Sequence, residues 1–143
     1  MATKNLHLVK KSIYDKLSKD STLITLLGGT HIYLERNPDK PIYPSIVYGI
    51  IAELDNIYNE DINEDGNITE TTFNVIIFSD SPTSEPSDNI ESRVKVLLNG
   101  ARKLSSDSIS CFGCFKQYSD QRYDVDAGIW ITTSIYKLVT APK

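Results

Sequence analysis

Aspartate, asparagine and threonine side chains stand at alternate positions of Asp61-Ile-Asn63-Glu-Asp65-Gly66-Asn67-Ile-Thr69, with a glycine at the sixth. Oxygen ligands in that pattern suit a hard cation, and they match the first nine positions of an EF-hand loop, where the glycine permits the sharp turn. The twelfth position, which should offer a bidentate glutamate, is Thr72, and the flanks read as strands where an EF-hand has helices. Turn residues of a β-hairpin produce much of the same pattern for backbone reasons alone, so no metal is expected here. A calcium-binding module on residues 61–72 remains the alternative to test.

Cys111-Phe-Gly-Cys114 is the only other spacing with chemical potential. A redox pair of this type belongs at a helix N-terminus, where the dipole lowers the thiol pKa. This one falls in a β-patterned run, where residues three apart point to opposite faces. A zinc site would need further ligands, and His7 and His31 are the only histidines, so two buried, inert thiols are expected. Neither histidine neighbours a nucleophile, Gly28-Gly29 reads as a helix stop, and no phosphate-binding loop is present. The sequence therefore predicts no catalytic residue, no cofactor and no enzyme. Its pI of about 5.1 also argues against a nucleic-acid surface, which needs a basic stripe.

Positioning elements follow from periodicity. Leu6, Val9, Ile13, Tyr14 and Leu17 recur at helical spacing over residues 6–19. A short second turn is expected at residues 22–27, capped by Ser21 and ended by Gly28. Three prolines mark residues 30–45 as an irregular connection. Residues 45–54 then alternate as a strand, with Ile46, Tyr48, Ile50, Ala52 and Leu54 on one face, and residues 69–78 alternate again. Between them lies a long acidic loop, 55–67, of the kind that in compact domains is functional or mobile. Ile90, Val94, Leu97 and Leu98 mark another helix, closed by Asn99-Gly100, and two further strands are expected at residues 110–118 and 129–139. The expected fold is one α+β domain over residues 1–143, a four-stranded antiparallel sheet with two helices packed on one face, in the order α-β-β-α-β-β. With no long apolar run and no leader-like N-terminus, it is expected in a cytoplasm, with no membrane partner.

The charges are unevenly placed. Between Pro41 and Ser92 there is no lysine or arginine but eleven carboxylates, so a segment of charge −11 is flanked by sequence totalling +7. Such polarity suits head-to-tail contacts between copies, which close into a ring when the rotation permits. The expected contact groups are Asp55, Glu60, Asp61, Glu64 and Asp65 of the loop against Lys10, Lys11, Arg93, Lys95, Arg102 and Lys103 on the helical side.

The helix leading to Leu17-Ser-Lys-Asp20 and Leu23-Ile-Thr-Leu-Leu-Gly28-Gly29, then Ile32-Tyr33, Pro41-Ile-Tyr-Pro44-Ser-Ile-Val-Tyr48, Thr72-Phe73-Asn-Val-Ile-Ile-Phe78-Ser-Asp80, the Ile90–Leu98 helix and the closing hairpin together resemble the tail completion, or tail terminator, proteins of long-tailed bacteriophages and prophages. The resemblance spans nearly the whole chain and rests on order and spacing. It implies a structural virion protein, assembled in a bacterial host's cytoplasm, that forms a hexameric ring at the head-proximal end of the tail tube. The implied partners are further copies of itself, the major tail tube protein and head-tail connector or neck proteins, with DNA only as passing cargo. Another neck or minor tail protein of the same fold is the alternative within that class.

Overall fold

The computed structural model describes residues 6–55, 68–100, 103–105 and 109–142. Helix α1 (Leu6–Ser18) buries Val9, Ile13 and Leu17, one residue per turn along a single stripe. Helix α2 (Ser21–Leu27) follows after one break. Its N-cap is Asp20, not the Ser21 expected from sequence: the Asp20 carboxylate accepts the Leu23 N–H at 2.9 Å. Gly28 ends it in the left-handed region (φ 75°), and the amides of Gly28 and Gly29 close back onto the Thr25 and Ile24 carbonyls, a stop that a side chain would strain.

The connection expected to be irregular holds a strand, β1 (Ile32–Leu34), paired in parallel with β2 (Ser45–Asp55). Strand β3 (Thr69–Ser79) returns antiparallel to β2 and leads to helix α3 (Glu85–Leu98). A long hairpin, β4 (Ile109–Asp124) and β5 (Ile129–Pro142), completes the sheet in the order β1-β2-β3-β5-β4. The expectation of a four-stranded antiparallel sheet with two helices is thus corrected: among the described residues the sheet has five strands, one pair of them parallel, and there are three helices. The reason is scale. A three-residue strand is too short for periodicity to register, and tertiary pairing decides it, while the short turn expected at residues 22–27 is a full seven-residue helix.

The core lies between the helices and one sheet face. Strand β3 buries Thr71, Phe73, Val75, Ile77 and Ser79 in strict alternation. Phe73 and Val75 join Ile46, Tyr48, Tyr136 and Leu138 of neighbouring strands and Ile90, Val94 and Leu98 of α3 in a single apolar cluster. Register shifts re-aim two strands. One between Ile50 and Ala52 leaves Ala52 opposite Thr72 and Leu54 opposite Glu70, on the face shared with Val47 and Gly49 and not with Ile46 as periodicity suggested. Another between Cys111 and Gly113 puts both Cys111 and Cys114 in the core, where strict alternation would have parted them. Both thiols are free and fully buried, and burial, helped by the neighbouring Cys111, pushes the Cys114 thiol far up from its ordinary value. They are buried as expected, for a different geometric reason.

Candidate assembly surfaces

Among the described residues no group of three metal-ligating side chains comes together, and no helix is long and apolar enough to cross a membrane. His31 is occupied structurally, its Nδ1 3.3 Å from the Pro44 carbonyl oxygen. The structure instead offers charged and apolar surfaces.

Of the acidic residues expected at contacts, Asp55 ends β2 opposite Thr69 on β3, while Glu60, Asp61, Glu64 and Asp65 lie outside the described residues, as do most of the calcium-like loop and Arg102. The basic residues are spread over α1 and α3. Lys10 on α1 reaches Glu35 at 3.4 Å, and Lys11 reaches Asp15 one turn on at 3.0 Å. Lys95 is exposed on α3. Arg93 spans 73 positions of sequence to make a two-pronged contact with Asp20, Nε to Oδ2 at 2.8 Å and Nη2 to Oδ1 at 2.7 Å. A planar fork on a carboxylate is the strongest ion-pair geometry available, and here it ties α3 to the cap of α2. Those guanidinium bonds hold the Asp20 carboxyl below its usual range, with burial opposing and the Leu23 amide assisting.

Asp20 therefore has two structural tasks, cap and clamp. Asp20→Ala is expected to cost about 2 kcal/mol of folding stability, read from thermal melts near neutral pH. Because the folded-state pKa lies below the unfolded one, the charge contributes stability above the ordinary aspartate value and loses it as pH falls through the folded pKa. The gap between wild type and Asp20→Ala should accordingly shrink below about pH 4.

A cleft of about 450 Å³ lies between α1, the C-terminal end of α3 and the segment after it, lined in part by Lys16, Lys19, Leu97, Lys103 and Leu104. Lys103 lies there, its Nζ bonded to the Val96 carbonyl at 3.2 Å, together with two lysines that sequence reasoning had not singled out. Their only sequence signal is the run of positive charge on the polar side of α1, and nothing in the chain order links residues 16–19 to residue 103. Chemically this cleft can receive a carboxylate, and the described carboxylates that line it, Asp15 and Asp20, are already paired with Lys11 and Arg93.

On the side of α3 turned to the sheet, Glu91 accepts from Lys116 of β4 at 3.1 Å and from Ser134 of β5 at 2.9 Å. Among the described residues the opposite sheet face bears no helix. Its residues alternate with the core positions: Ile76 and Phe78 on β3, Ile131 and Ile135 on β5, with Phe115 and Tyr118 of β4 at the edge.

No family model matches the chain, and no similar curated protein is found. Among solved structures, a chain of the virion of a native gene transfer agent (GTA) particle superposes with a TM-score of 0.70 at 17% identity, over 92% of this chain and 93% of that one. The two chains share a fold. At this identity the likeness says nothing of individual contact residues, but it extends over the whole arrangement of sheet and helices and not over one motif.

Proposed function

We propose that this chain is a non-enzymatic structural protein of a phage-like virion, and more narrowly a tail completion (tail terminator) protein that forms a ring, in the family pattern a hexamer, at the head-proximal end of the tail tube. The observation that carries the reading is the fold shared, end to end, with a chain of a gene transfer agent virion. The order and spacing of sequence segments that resemble tail completion proteins support the narrower step. In this reading the ring stops tube growth, contacts the major tail tube protein on one side and connector or neck proteins on the other, and passes DNA through its centre.

Head-to-tail contact between copies would use the acidic loop, Glu60, Asp61, Glu64 and Asp65 with Asp55 at its root, against basic groups of the neighbour. Lys95, together with the Lys16, Lys19 and Lys103 cleft, is the best-placed basic surface, since Lys10, Lys11 and Arg93 already hold partners within the chain. Contacts of this kind are screened over a Debye length of about 8 Å at physiological salt. Ring formation followed by native mass spectrometry and negative-stain microscopy should therefore weaken as salt rises, and it should be lost when Asp61, Glu64 and Asp65 are reversed to lysine. Localisation tests the role itself: cryo-electron microscopy of the parent particle should place the chain at the head-tail junction. Density for it elsewhere in the particle, or a particle that lacks it, would sink the tail-terminator reading.

A further inference from the structure

We propose that the turn of the β4–β5 hairpin is the partner of the lysine-lined cleft: Val125 and the carboxylates of Asp124 and Asp126 on one copy seat among Lys16, Lys19 and Lys103 of the next. The inference rests on the head-to-tail contact proposed above and narrows it, giving the cleft to the hairpin turn and leaving Lys95 to the 55–67 loop. The turn lies just past Trp130, the last β5 residue paired with β3. It is held by its own first residue. The Asp124 carboxylate accepts from the amides of Asp126 and Ala127 at 3.1 and 3.2 Å, and the Asp124 carbonyl accepts from Gly128, in the left-handed region (φ 70°), at 2.7 Å. So tethered, the turn presents Val125 at 80% exposure, the most exposed large apolar side chain among the described residues, between two aspartates. Asp126 is itself exposed and its carboxylate bonds to nothing among the described residues. One exposed valine is ordinary on a surface, and the case rests on its match to the cleft.

The cleft carries the complementary set. Lys16, Lys19 and Lys103 line it together with Leu97 and Leu104, around a volume of about 450 Å³. Asp15 and Asp20 in the same lining are engaged by Lys11 and Arg93, so the three lysines leave a net positive charge among the described residues. Lys16 also attracts Asp20, which leaves exposed Lys19 as the cation without a carboxylate partner among the described residues. Two acids about an apolar side chain thus meet three ammonium groups about two leucines, matched in sign and in polarity. Attraction between exposed charges is modest, but a turn already fixed by its own hydrogen bonds loses little conformational freedom on docking.

The fold keeps a copy from filling its own cleft. The hydroxyl of Ser105, in the cleft lining, accepts the Cys111 amide at 3.0 Å, and Cys111 stands opposite Thr140 on β5. Thr140 is ten residues along that strand from Trp130, about 33 Å at about 3.3 Å per residue. Turn and cleft therefore occupy opposite ends of the sheet. Charge alone admits any acidic segment; the reciprocal set at the far end of the same chain selects a second copy. Such a contact is heterologous: each copy gives its turn to one neighbour and its cleft to another, the arrangement from which a ring closes.

Cysteine pairing in the full chain, whose own two thiols are buried, tests the contact directly. Val125→Cys and Lys19→Cys variants, purified separately, are mixed and oxidised with diamide. The mixture should form a disulfide-linked dimer more than about ten-fold faster than either variant alone, and Lys40→Cys, exposed on the connection before β2, should not replace Lys19→Cys. In sedimentation velocity from micromolar to near-millimolar concentration, Asp126→Lys should raise the mid-point of association more than about ten-fold. A chain carrying Asp126→Lys together with Lys19→Glu should recover most of that loss. All these positions are exposed, so melting temperatures should stay near that of the wild type. A mixture with no preferential cross-link, or association indifferent to Asp126→Lys in folded protein, overturns the proposal. Association that ignores these variants but is lost when Asp61, Glu64 and Asp65 are reversed would overturn it and leave the ring reading intact. A particle that holds the chain away from its head-tail junction would refute the tail role and leave this contact standing.

Discussion

Phe73→Ala is expected to remove about 4 kcal/mol of folding stability, measured as a fall in the urea midpoint at unchanged slope. Phe73 is fully buried in β3, a strand hydrogen-bonded to β2 on one side and β5 on the other. Its ring stacks on Tyr136 with centroids 5.4 Å apart and planes 13° from parallel, and in register it stands opposite Ile50. Truncation loses the transfer free energy of the ring and also leaves a void. Strands locked by ladders on both edges cannot collapse into that void, so the cavity term stays near its full value. Since domains of this size are held by only about 5–15 kcal/mol in total, the variant should be folded only marginally. The stack's other member supplies a control. The Tyr136 hydroxyl is buried without a hydrogen-bond partner, so Tyr136→Phe keeps the packing and sheds an uncompensated polar group; it should change stability by less than about 1 kcal/mol or raise it. Equal losses from the two substitutions would show that the ring contact is not what holds this region.

The difference between those two residues also marks what sequence could and could not disclose. The alternation of Phe73, Val75 and Ile77 is visible in the chain, and so is the face of α3 formed by Ile90, Val94 and Leu98, because each repeats the period of its own element. β1 was not legible. Its three residues have one buried side chain, Ile32, and the partner that makes it a strand is β2, reached across a proline-rich connection. Nor were the irregularities of register. One extra residue near Ile51 sends Leu54 to the open face, and one near Phe112 brings Cys111 and Cys114 to the same side. Bulges depend on what the neighbouring strand offers, and the local pattern carries no mark of them.

The candidate surfaces follow the same division. Sequence shows how much charge the chain has and on which segment, but not which charges are already used. Arg93 reads as a free cation on a helix, and the fold spends it on Asp20, 73 positions away. Lys16 and Lys19 read as ordinary solvated residues, and the fold sets them in a cleft beside Lys103. The open sheet face was half visible: alternation in β2 came with apolar residues at both phases, a pattern that announces a second covered face without saying what covers it.

Glu91→Ala should be the costliest change to any polar group in the described structure, about 2–3 kcal/mol. Its carboxylate lies between α3 and the sheet and accepts from both Lys116 and Ser134, the latter only 1% exposed. The Lys116 and Glu91 side chains retain 17% and 21% exposure, which keeps the loss below that of a wholly buried pair. Removing the acceptor strands the Ser134 hydroxyl inside the core and leaves the Lys116 ammonium at its edge with only partial access to water. Burial works to raise the Glu91 carboxyl, but the hydrogen bonds from Lys116 and Ser134 and the positive charge of Lys116 outweigh it and hold the group below its ordinary value. The folded protein thus binds this proton less readily than the unfolded chain does. Stability from Glu91 is complete above the ordinary glutamate value and drains away as pH falls through the folded pKa. Denaturation of wild type and Glu91→Ala should diverge most at neutral pH and converge below about pH 4. Glu91→Gln, which keeps an acceptor but no charge, should fall between them at neutral pH; a glutamine variant as stable as wild type would mean that the hydrogen bonds, and not the charge, anchor α3 to the sheet.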